Sequence, residues 1–204
     1  MLTRATVLAE IERARDVLGG VASTRADTIV AAAAAVASAL GTGNTIYFAG
    51  NGGSASQAIH LAAEFVGRFR RERRPFPAAS LCENLAAITA IGNDYSYDEV
   101  FSRQVEAFCR PGDVLVLLST SGSSRNVLRA AKEATSRNVV TIGLTGSGGG
   151  ALADLVDVLI DVPDTDVARV QEAHLLVGHL LCSVSDTVIE GSHDGEVGDD
   201  DGAS

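Results

Sequence analysis

Apolar and β-branched residues gather in five short runs along the chain, and stretches of helical length separate these runs. The runs predict five β-strands, at 44–50, 76–81, 114–119, 139–146 and 158–163. The stretches between and after them predict helices at 54–67, 83–109, 126–136, 148–156 and 167–189. A turn at Gly92–Asp94 is expected to divide the second of these stretches into two helices.

Two further helices, at 4–18 and 23–40, are predicted ahead of the first strand, with a break at Gly19–Gly20. An amphipathic and Ala-rich pair of this length favours packing between subunits. We therefore expect three parts: N-terminal oligomerisation helices at 1–42, one α/β domain at 43–190, and a disordered acidic tail at 191–204.

Strands alternate with helices from residue 44 onward, an order that implies right-handed crossovers and a parallel sheet covered on both faces. The fold class expected is therefore α/β, a three-layer parallel-sheet sandwich. Ligands of such sheets bind beyond the carboxyl ends of the strands. Three polar, glycine-rich loops follow strands there: GNGGSAS at 50–56, STSGSS at 119–124 and TGSGGG at 145–150.

The composition suits one substantial globular domain, since 46% of the 204 residues are hydrophobic. Six acidic residues and no basic residue lie in 190–204, which leaves 20 acidic and 16 basic residues in the body. This mildly acidic body gives no indication of nucleic-acid binding. The basic run at 67–75 is short and interrupted, and it predicts a solvated loop or a subunit contact.

The first residues carry charges throughout and do not form a signal peptide. The Ala-rich run at 29–40 has about 12 residues, too few to cross a bilayer. Three scattered cysteines, Cys82, Cys109 and Cys182, lack metal-finger spacing and predict reduced, mostly buried thiols. We expect a cytoplasmic protein with no membrane partner.

The loop at 119–124 has the properties of a phosphate site. Five of its six residues carry hydroxyl groups, and backbone N–H groups of the following helix point toward it. Ser54, at the start of the helix after the first strand, lies at the same edge of the sheet. Simple helix capping is the alternative role for a serine at such a position. The chain has neither a P-loop nor convincing dinucleotide-binding spacing.

His60 and Glu64 lie four residues apart and therefore on one face of the first sheet helix. Taken alone, this pair also fits a core histidine with a carboxylate partner. The last helix carries polar residues in an otherwise apolar stretch: Gln171, Glu172, His174 and His179. Polar groups within an apolar helix are costly unless satisfied, so a buried polar cluster is expected.

Four stretches resemble, in order, the sugar isomerase (SIS) domain family, and within it the phosphoheptose isomerases. They are GNGGSASQAIHLAAEFVGRF at 50–69, AIGNDYSYDEVFSRQVEA at 90–107, RPGDVLVLLSTSGSSRNVLRAAK at 110–132 and RVQEAHLLVGHLL at 169–181. The resemblance covers about residues 5–190. It implies a flavodoxin-like topology, a homotetramer, and interconversion of sedoheptulose 7-phosphate and D-glycero-D-manno-heptose 7-phosphate through an enediol.

The resemblance also implies roles for individual residues. One zinc ion per site would be bound by His60, Glu64, Gln171 and His179. Glu64 matches the general base and His179 its partner acid/base. Substrate-binding positions would be Asn51, Gly52, Gly53, Ser54, Asn93, Asp94, Ser119, Thr120, Ser121, Ser124 and Gln171, with the serines on the phosphate. Two positions depart from the family pattern: Ser123 replaces a usual Asn, and Ala168 replaces a common Asp that contacts a sugar hydroxyl.

The spacing of Gln171 and His179 poses a geometric problem. Eight residues on one straight helix give about 12 Å of rise and roughly 80° of rotation, too far for two ligands of one metal ion. Either the helix begins after Gln171, or the two side chains come from different subunits. We favour a site built between subunits.

Other functions fit parts of the pattern. A catalytically silent SIS adaptor that binds a replication initiator would lack parts of the acid/base set, whereas Glu64 and His179 are both present here. A SIS regulator that senses a sugar phosphate usually carries a DNA-binding domain, for which this chain has no room. An isomerase of another phosphosugar stays open, because hydroxyl-rich loops bind any phosphomonoester.

Overall fold

The computed structural model describes residues 1–184, so the predicted continuation of the final helix to 189 and the predicted tail at 191–204 lie outside the described residues. The helices are α1 (Arg4–Gly41), α2 (Gly53–Val66), α3 (Leu85–Asp94), α4 (Ser102–Phe108), α5 (Arg125–Ser136) and α6 (Val167–Ser183). The strands are β1 (Ile46–Gly50), β2 (Ala78–Ser80), β3 (Val114–Ser119), β4 (Val140–Thr145) and β5 (Val158–Asp161). Two 3₁₀ segments lie at Tyr97–Glu99 and Gly150–Leu155.

The five strands form one parallel sheet in the order β2-β1-β3-β4-β5. This is the flavodoxin-like order, so the α/β three-layer fold class is confirmed. Strand β3 lies at the centre and all six of its residues are buried, as a strand covered on both faces requires.

Two hydrophobic cores lie on opposite faces of the sheet. Alternate residues of β3 divide between them: Val114, Val116 and Leu118 join one core, and Leu115 and Leu117 join the other. The first core packs against α1, α2 and α6, and the second packs against α4 and α5. The helices α2 and α6, which carry the polar residues noted above, therefore share one face of the sheet.

The predicted break in the N-terminal helices is wrong, because α1 runs continuously through Gly19 and Gly20. A glycine inside a helix costs about 1 kcal/mol relative to alanine, which is too little to stop a long helix that packs on a core. A Cβ on Gly20 would lie 2.9 Å from Cγ of Pro163. Gly20 therefore allows α1 to approach the segment that joins β5 to α6.

The other predicted elements are found with small changes at their ends. Gly92–Asp94 forms the last residues of α3 rather than the expected turn, and the chain leaves the helix at Tyr95. None of the three cysteines among the described residues forms a disulfide, and Cys109 and Cys182 are buried whereas Cys82 is partly buried. Among residues 1–184, no helix is long and apolar enough to cross a membrane.

Candidate active site

The first and second glycine-rich loops lie side by side at the carboxyl edge of the sheet. Gly50, the last residue of β1, is in register with Leu118 of β3, one residue before the STSGSS loop. A Cβ on Gly50 would lie 2.8 Å from Cβ of Ser54 and 3.0 Å from the carbonyl oxygen of Leu118. Glycine at this position therefore lets the start of α2 pack against the end of β3.

The STSGSS loop folds into a compact turn before α5. The amide of Gly122 donates to the carbonyl oxygen of Ser119 at 2.9 Å, and the hydroxyl of Ser119 donates to that of Ser124 at 3.3 Å. Ser124 is the N-cap residue of α5, yet its side chain makes no capping hydrogen bond. Capping therefore does not explain this serine, and its hydroxyl lies beside the N-terminus of the helix, where the helix dipole favours an anion.

The third glycine-rich loop, TGSGGG, packs against the second, STSGSS. Gly148, Gly149 and Gly150 all have positive φ, which L side chains rarely adopt. A Cβ on Gly122 would collide with the carbonyl oxygen of Gly149, and the amide of Leu152 donates to the carbonyl oxygen of Gly122 at 2.9 Å. The shape of the STSGSS loop thus depends on the close approach of these two backbones.

His60, Glu64 and His179 come together within one chain, with ligand atoms that all lie within 4.8 Å of one another. Nε2 of His60 lies 3.0 Å from Nε2 of His179 and 3.5 Å from Oε1 of Glu64. The close packing of α6 on α2 brings these side chains together. Gly178 allows this packing, because a Cβ at its position would collide with the side chain of Leu61. Glycine beside His179 therefore brings the two histidines within reach of a common ligand.

The surroundings of His179 favour the neutral form of its imidazole. Burial lowers the pKa of His179 below its ordinary value, and the neighbouring His60 adds to this lowering, while Glu64 opposes it. The ring of Phe69 stacks on His179 with centroids 5.5 Å apart. A neutral imidazole is the form that binds a metal ion or accepts a proton.

The donor set fits a zinc ion. Two ligand atoms of one tetrahedral zinc lie about 3.3 Å apart, given metal–ligand distances of about 2.0–2.1 Å. The separations of 3.0 Å and 3.5 Å lie on either side of that value. Two imidazoles and a carboxylate are also the ligand types of catalytic zinc sites with an open fourth position.

Gln171 does not join this group in the same chain. Its side chain lies at the start of α2, where a Cβ on Gly53 would be 2.7 Å from Nε2 of Gln171. The backbone oxygen of Gln171 accepts a hydrogen bond of 2.6 Å from Nε2 of Gln57. Helix α6 begins at Val167, so the alternative in which the helix starts after Gln171 is wrong.

The polar cluster expected on α6 forms only in part. Glu172 is exposed and pairs with Arg169 at 2.7 Å. His174 is fully buried, and one of its ring nitrogens, Nε2, lies 3.0 Å from the carbonyl oxygen of Thr145 at the end of β4. Burial lowers the pKa of His174 to about 4, so its ring is neutral near pH 7. His174 therefore connects α6 to the edge of the sheet where the loops gather.

Three of the predicted sugar-binding residues form side-chain hydrogen bonds outside the group of His60, Glu64 and His179. Asn51 forms two side-chain hydrogen bonds with Asn126, each 2.9 Å long. Asn93 and Asp94 are exposed at the end of α3 and hydrogen-bond to each other at 2.8 Å. Within the described part of the chain, neither of these two hydrogen-bonds to His60, Glu64 or His179.

The basic run at 67–75, predicted to be a solvated loop or a subunit contact, is largely exposed, but it buries Arg73, whose exposed fraction is 9%. Its guanidinium donates to the carbonyl oxygen of Glu64 at 2.6 Å and to that of Phe65 at 2.9 Å. This run thus holds the end of α2 and also supplies Phe69 to His179. Sequence reasoning missed both roles, although an apolar Phe inside a basic run is a signal that could have indicated them.

Comparisons with known proteins agree with this architecture and site. The SIS domain family matches residues 11–146. The phosphoheptose isomerase of Rhodospirillum rubrum is 52% identical over 159 residues, which cover 78% of this chain and 85% of that protein. The solved structure of phosphoheptose isomerase from Neisseria gonorrhoeae has a TM-score of 0.85 at 40% identity, covering 90% of this chain and 98% of that chain.

A second solved structure, a phosphoheptose isomerase from Francisella tularensis, has a TM-score of 0.87 at 34% identity. It covers 92% of this chain and 100% of that chain, so the likeness includes α1 as well as the sheet. The family match, the identities and the shared structure all point the same way. The chain belongs to the phosphoheptose isomerases, the SIS-domain aldose–ketose isomerases that its motifs resemble.

Proposed function

We propose that this protein interconverts sedoheptulose 7-phosphate and D-glycero-D-manno-heptose 7-phosphate, as the first step of a nucleotide-activated heptose pathway. One observation carries the proposal: His60, Glu64 and His179 gather within 4.8 Å at the helix that begins beside the hydroxyl-rich loop. Acid/base groups at one end and a phosphate loop at the other are what an isomerase of open-chain sugar phosphates needs.

The phosphate binds at the paired loops in this proposal. Hydroxyls of Ser54, Ser119, Ser121 and Ser124 contact its oxygens, and backbone N–H groups at Gly52, Gly53 and Thr120 complete the cradle. The low exposure of Ser54 and Ser119, 4% each, supports a recessed site rather than a surface contact. Burial makes hydrogen bonds to an anion stronger than they are in water.

Helix α2 sets the distance between the phosphate and the reacting carbons. His60 lies about 9 Å and Glu64 about 15 Å from Ser54 along the helix axis, at 1.5 Å per residue. An extended sugar chain can lie along this helix with its phosphate at the N-terminus. Asn51, Asn93 and Asp94 contact hydroxyl groups between the two ends.

Two proton transfers complete the isomerisation. The carboxylate of Glu64 takes a proton from C1 of the ketose while the oxygen on C2 is protonated, which gives an enediol. The oxygen on C1 then loses its proton and C2 gains one, which leaves an aldehyde at C1. His179 exchanges the oxygen-bound protons: an N–H of its ring gives a proton to the oxygen on C2, and the ring then takes one from the oxygen on C1.

A zinc ion is proposed as the cofactor, bound by His60, Glu64, Gln171 and His179. When bound, zinc would polarise the carbonyl group and hold the adjacent hydroxyl group. The short Nε2 to Nε2 separation of the two histidines supports this assignment, because the two nitrogens are close enough to bind one ion. Imidazole, carboxylate and amide oxygen are suitable ligands for zinc.

A homo-oligomer, a tetramer by family resemblance, is proposed as the active form. An apolar groove of about 430 Å³ lies between α1 and α6 and supports this assembly with a second copy of the chain. Val30, Leu176 and Leu180 line the groove and are exposed in the single chain. Exposed apolar surface of this kind favours association.

The oligomer also explains the position of Gln171. The side chain of Gln171 lies against Gly53 of its own chain. We therefore propose that a second subunit supplies the Gln171 that completes each zinc site. The cytoplasm is proposed as the location, and the three cysteine thiols, none of which forms a disulfide among the described residues, support it, because reduced thiols persist there.

Turnover of sedoheptulose 7-phosphate tests the function directly. We expect the purified protein with zinc to form the aldose heptose phosphate, and Glu64→Gln and His179→Ala to lower kcat by about 100-fold or more. Glu172→Gln is the matched control, since it removes an exposed carboxylate from α6. No turnover by the intact protein would overturn the function, and full turnover by both variants would overturn the assigned roles.

A further inference from the structure

Asn51, at the end of β1, belongs to a hydrogen-bond network with two residues from other parts of the chain. Its Nδ2 donates to Oδ1 of Asn126, and its Oδ1 accepts from Nδ2 of Asn126, each at 2.9 Å. The hydroxyl of Tyr97 also donates to Oδ1 of Asn51 at 2.9 Å. Asn126 is buried near the start of α5, and Tyr97 lies in the 3₁₀ segment before α4.

A backbone group fixes the direction of this network. The side-chain oxygen and nitrogen of an asparagine can be told apart only through their hydrogen-bond partners. Oδ1 of Asn126 accepts from the backbone N–H of Val127 at 2.9 Å, and a backbone N–H can only donate. The atom of Asn51 that faces Oδ1 of Asn126 must therefore be Nδ2, and the other atom of Asn51 must be Oδ1.

The network leaves Asn51 with a defined remaining capacity. Oδ1 has two lone pairs, which accept from Asn126 and Tyr97, so its acceptor positions are filled. Nδ2 has two hydrogens, one of which goes to Asn126. The second hydrogen of Nδ2 is the position of this side chain that is left to bind a ligand. Asn51 can therefore hydrogen-bond to a ligand only as a donor.

The 3₁₀ segment that carries Tyr97 is held on α5 by ion pairs. Asp98 pairs with Arg125 at 2.7 Å, and Glu99 pairs with Arg129. The hydroxyl of Ser102 donates to Oε2 of Glu99 at 2.7 Å, which anchors the same segment to α4. Tyr97 therefore approaches Asn51 from an element that is already attached to the helix of the phosphate loop.

We infer that Tyr97 is a positioning residue, which holds the amide of Asn51 as a hydrogen-bond donor to an oxygen of the bound sugar. The inference rests on the proposed function in one respect, namely that Asn51 contacts the sugar. Without the Tyr97 hydroxyl, Oδ1 of Asn51 has a free lone pair and the amide is held on one side only. Sugar affinity falls as a result, whereas the phosphate loop is unchanged.

The variant Tyr97→Phe tests this role, with Tyr95→Phe as its matched control. Both tyrosines are similarly exposed, 57% and 60%, and the ring of Tyr95 lies 3.9 Å from the guanidinium of Arg103, a contact that phenylalanine keeps. We expect Tyr97→Phe to raise KM for sedoheptulose 7-phosphate about 3- to 10-fold, with kcat within about twofold. Tyr95→Phe should leave both constants unchanged.

A double-mutant cycle separates positioning from a general structural effect. In an Asn51→Ala background, Tyr97→Phe should have no further effect on sugar affinity, because Tyr97 acts through Asn51. Calorimetric binding of inorganic phosphate should be equal in Tyr97→Phe and the intact protein. Equal losses in both backgrounds, or an unchanged KM in Tyr97→Phe, would overturn the inference.

Binding measurements distinguish this inference from the proposed function. Calorimetry with sedoheptulose 7-phosphate, fructose 6-phosphate and ribose 5-phosphate reports affinity whether or not turnover occurs. Absent turnover together with Tyr97-dependent binding of any of these sugars would overturn the function and support the inference. Tyr97→Phe that keeps full affinity for all three, or an intact protein that binds none of them, would overturn the inference.

Discussion

Gly122 is the residue on which the shape of the STSGSS loop, the proposed phosphate site, depends most directly. It has a φ of 59°, and a Cβ there would collide with the carbonyl oxygen of Gly149. We expect Gly122→Ala to lower affinity for inorganic phosphate about tenfold or more, because the two loops must separate. Isothermal calorimetry measures this loss, and circular dichroism verifies that the sheet is retained.

Gly148→Ala is the matched control for this change. Gly148 has a φ of 81°, but a Cβ there meets nothing within 4 Å. Its backbone strain costs about 1–2 kcal/mol of stability without moving the loop that is proposed to bind phosphate. Equal loss of phosphate affinity in the two variants would contradict the role given to the contact between Gly122 and Gly149.

Sequence patterns indicated some site residues better than others. Helical spacing put His60 and Glu64 on one face of α2, and the polar residues of an apolar helix pointed to His179. Tyr97 could not be found this way, because its contact with Asn51 joins segments 46 positions apart in the chain. Such long-range contacts depend on the packing of the whole fold.

At the scale of elements, the C-terminus of α2 carries the catalytic candidate Glu64 and is held by one arginine. The guanidinium of Arg73 donates to carbonyl oxygens of Glu64, Phe65, Gly67 and Arg74, at distances from 2.6 to 3.3 Å. The last carbonyl groups of a helix have no partner within the helix, and charged donors satisfy them well. Arg73 thus closes the end of α2 and fixes the backbone of Glu64.

We expect Arg73→Ala to lower the free energy of unfolding by about 2–3 kcal/mol, because buried carbonyl groups lose a charged donor. Zinc retention should fall as well, since Glu64 belongs to the turn that frays. Urea unfolding and metal analysis after dialysis measure the two effects. Arg74→Ala is the control, because Arg74 is a neighbouring arginine that is exposed. Its guanidinium carbon lies 4.7 Å from the ring centroid of Phe76. Equal destabilisation by the two variants would contradict the capping role.

Sequence analysis predicted the type of almost every element but misjudged α1. The strand runs were identified because buried parallel strands are continuously apolar, as β3 is. The Gly19–Gly20 pair was misleading, because a glycine that ends a helix and a glycine that allows close packing look alike in sequence. Only the contact between Gly20 and Pro163 distinguishes them.

At the scale of the whole molecule, the proposed zinc site depends on which subunit supplies Gln171. Gln171 and His179 both lie on the continuous helix α6. His179 joins His60 and Glu64, while Gln171 lies against Gly53. The eight-residue spacing indicated that one straight helix cannot bring both side chains to one metal ion. The arrangement of subunits depends on contacts between chains, which the sequence of one helix does not reveal. Subunit mixing can test it.

Two inactive variants provide that test. If a second subunit supplies Gln171, co-expression of Gln171→Ala and His179→Ala chains produces mixed oligomers with some intact sites. Such a site takes His179 from one chain and Gln171 from the other. With random assembly, about a quarter of the sites are intact, so turnover should return to roughly a quarter of the unmutated level.

The same experiment distinguishes the alternative arrangement. If both side chains act within one chain, every site in a mixed oligomer carries one defect, and turnover stays at the level of the separate variants. Co-expression of Glu64→Gln with His179→Ala is the control, because these residues meet within one chain and should not complement each other. Recovery with the first pair and none with the second would assign Gln171 to the neighbouring subunit, since only a shared site can be rebuilt from two different defects.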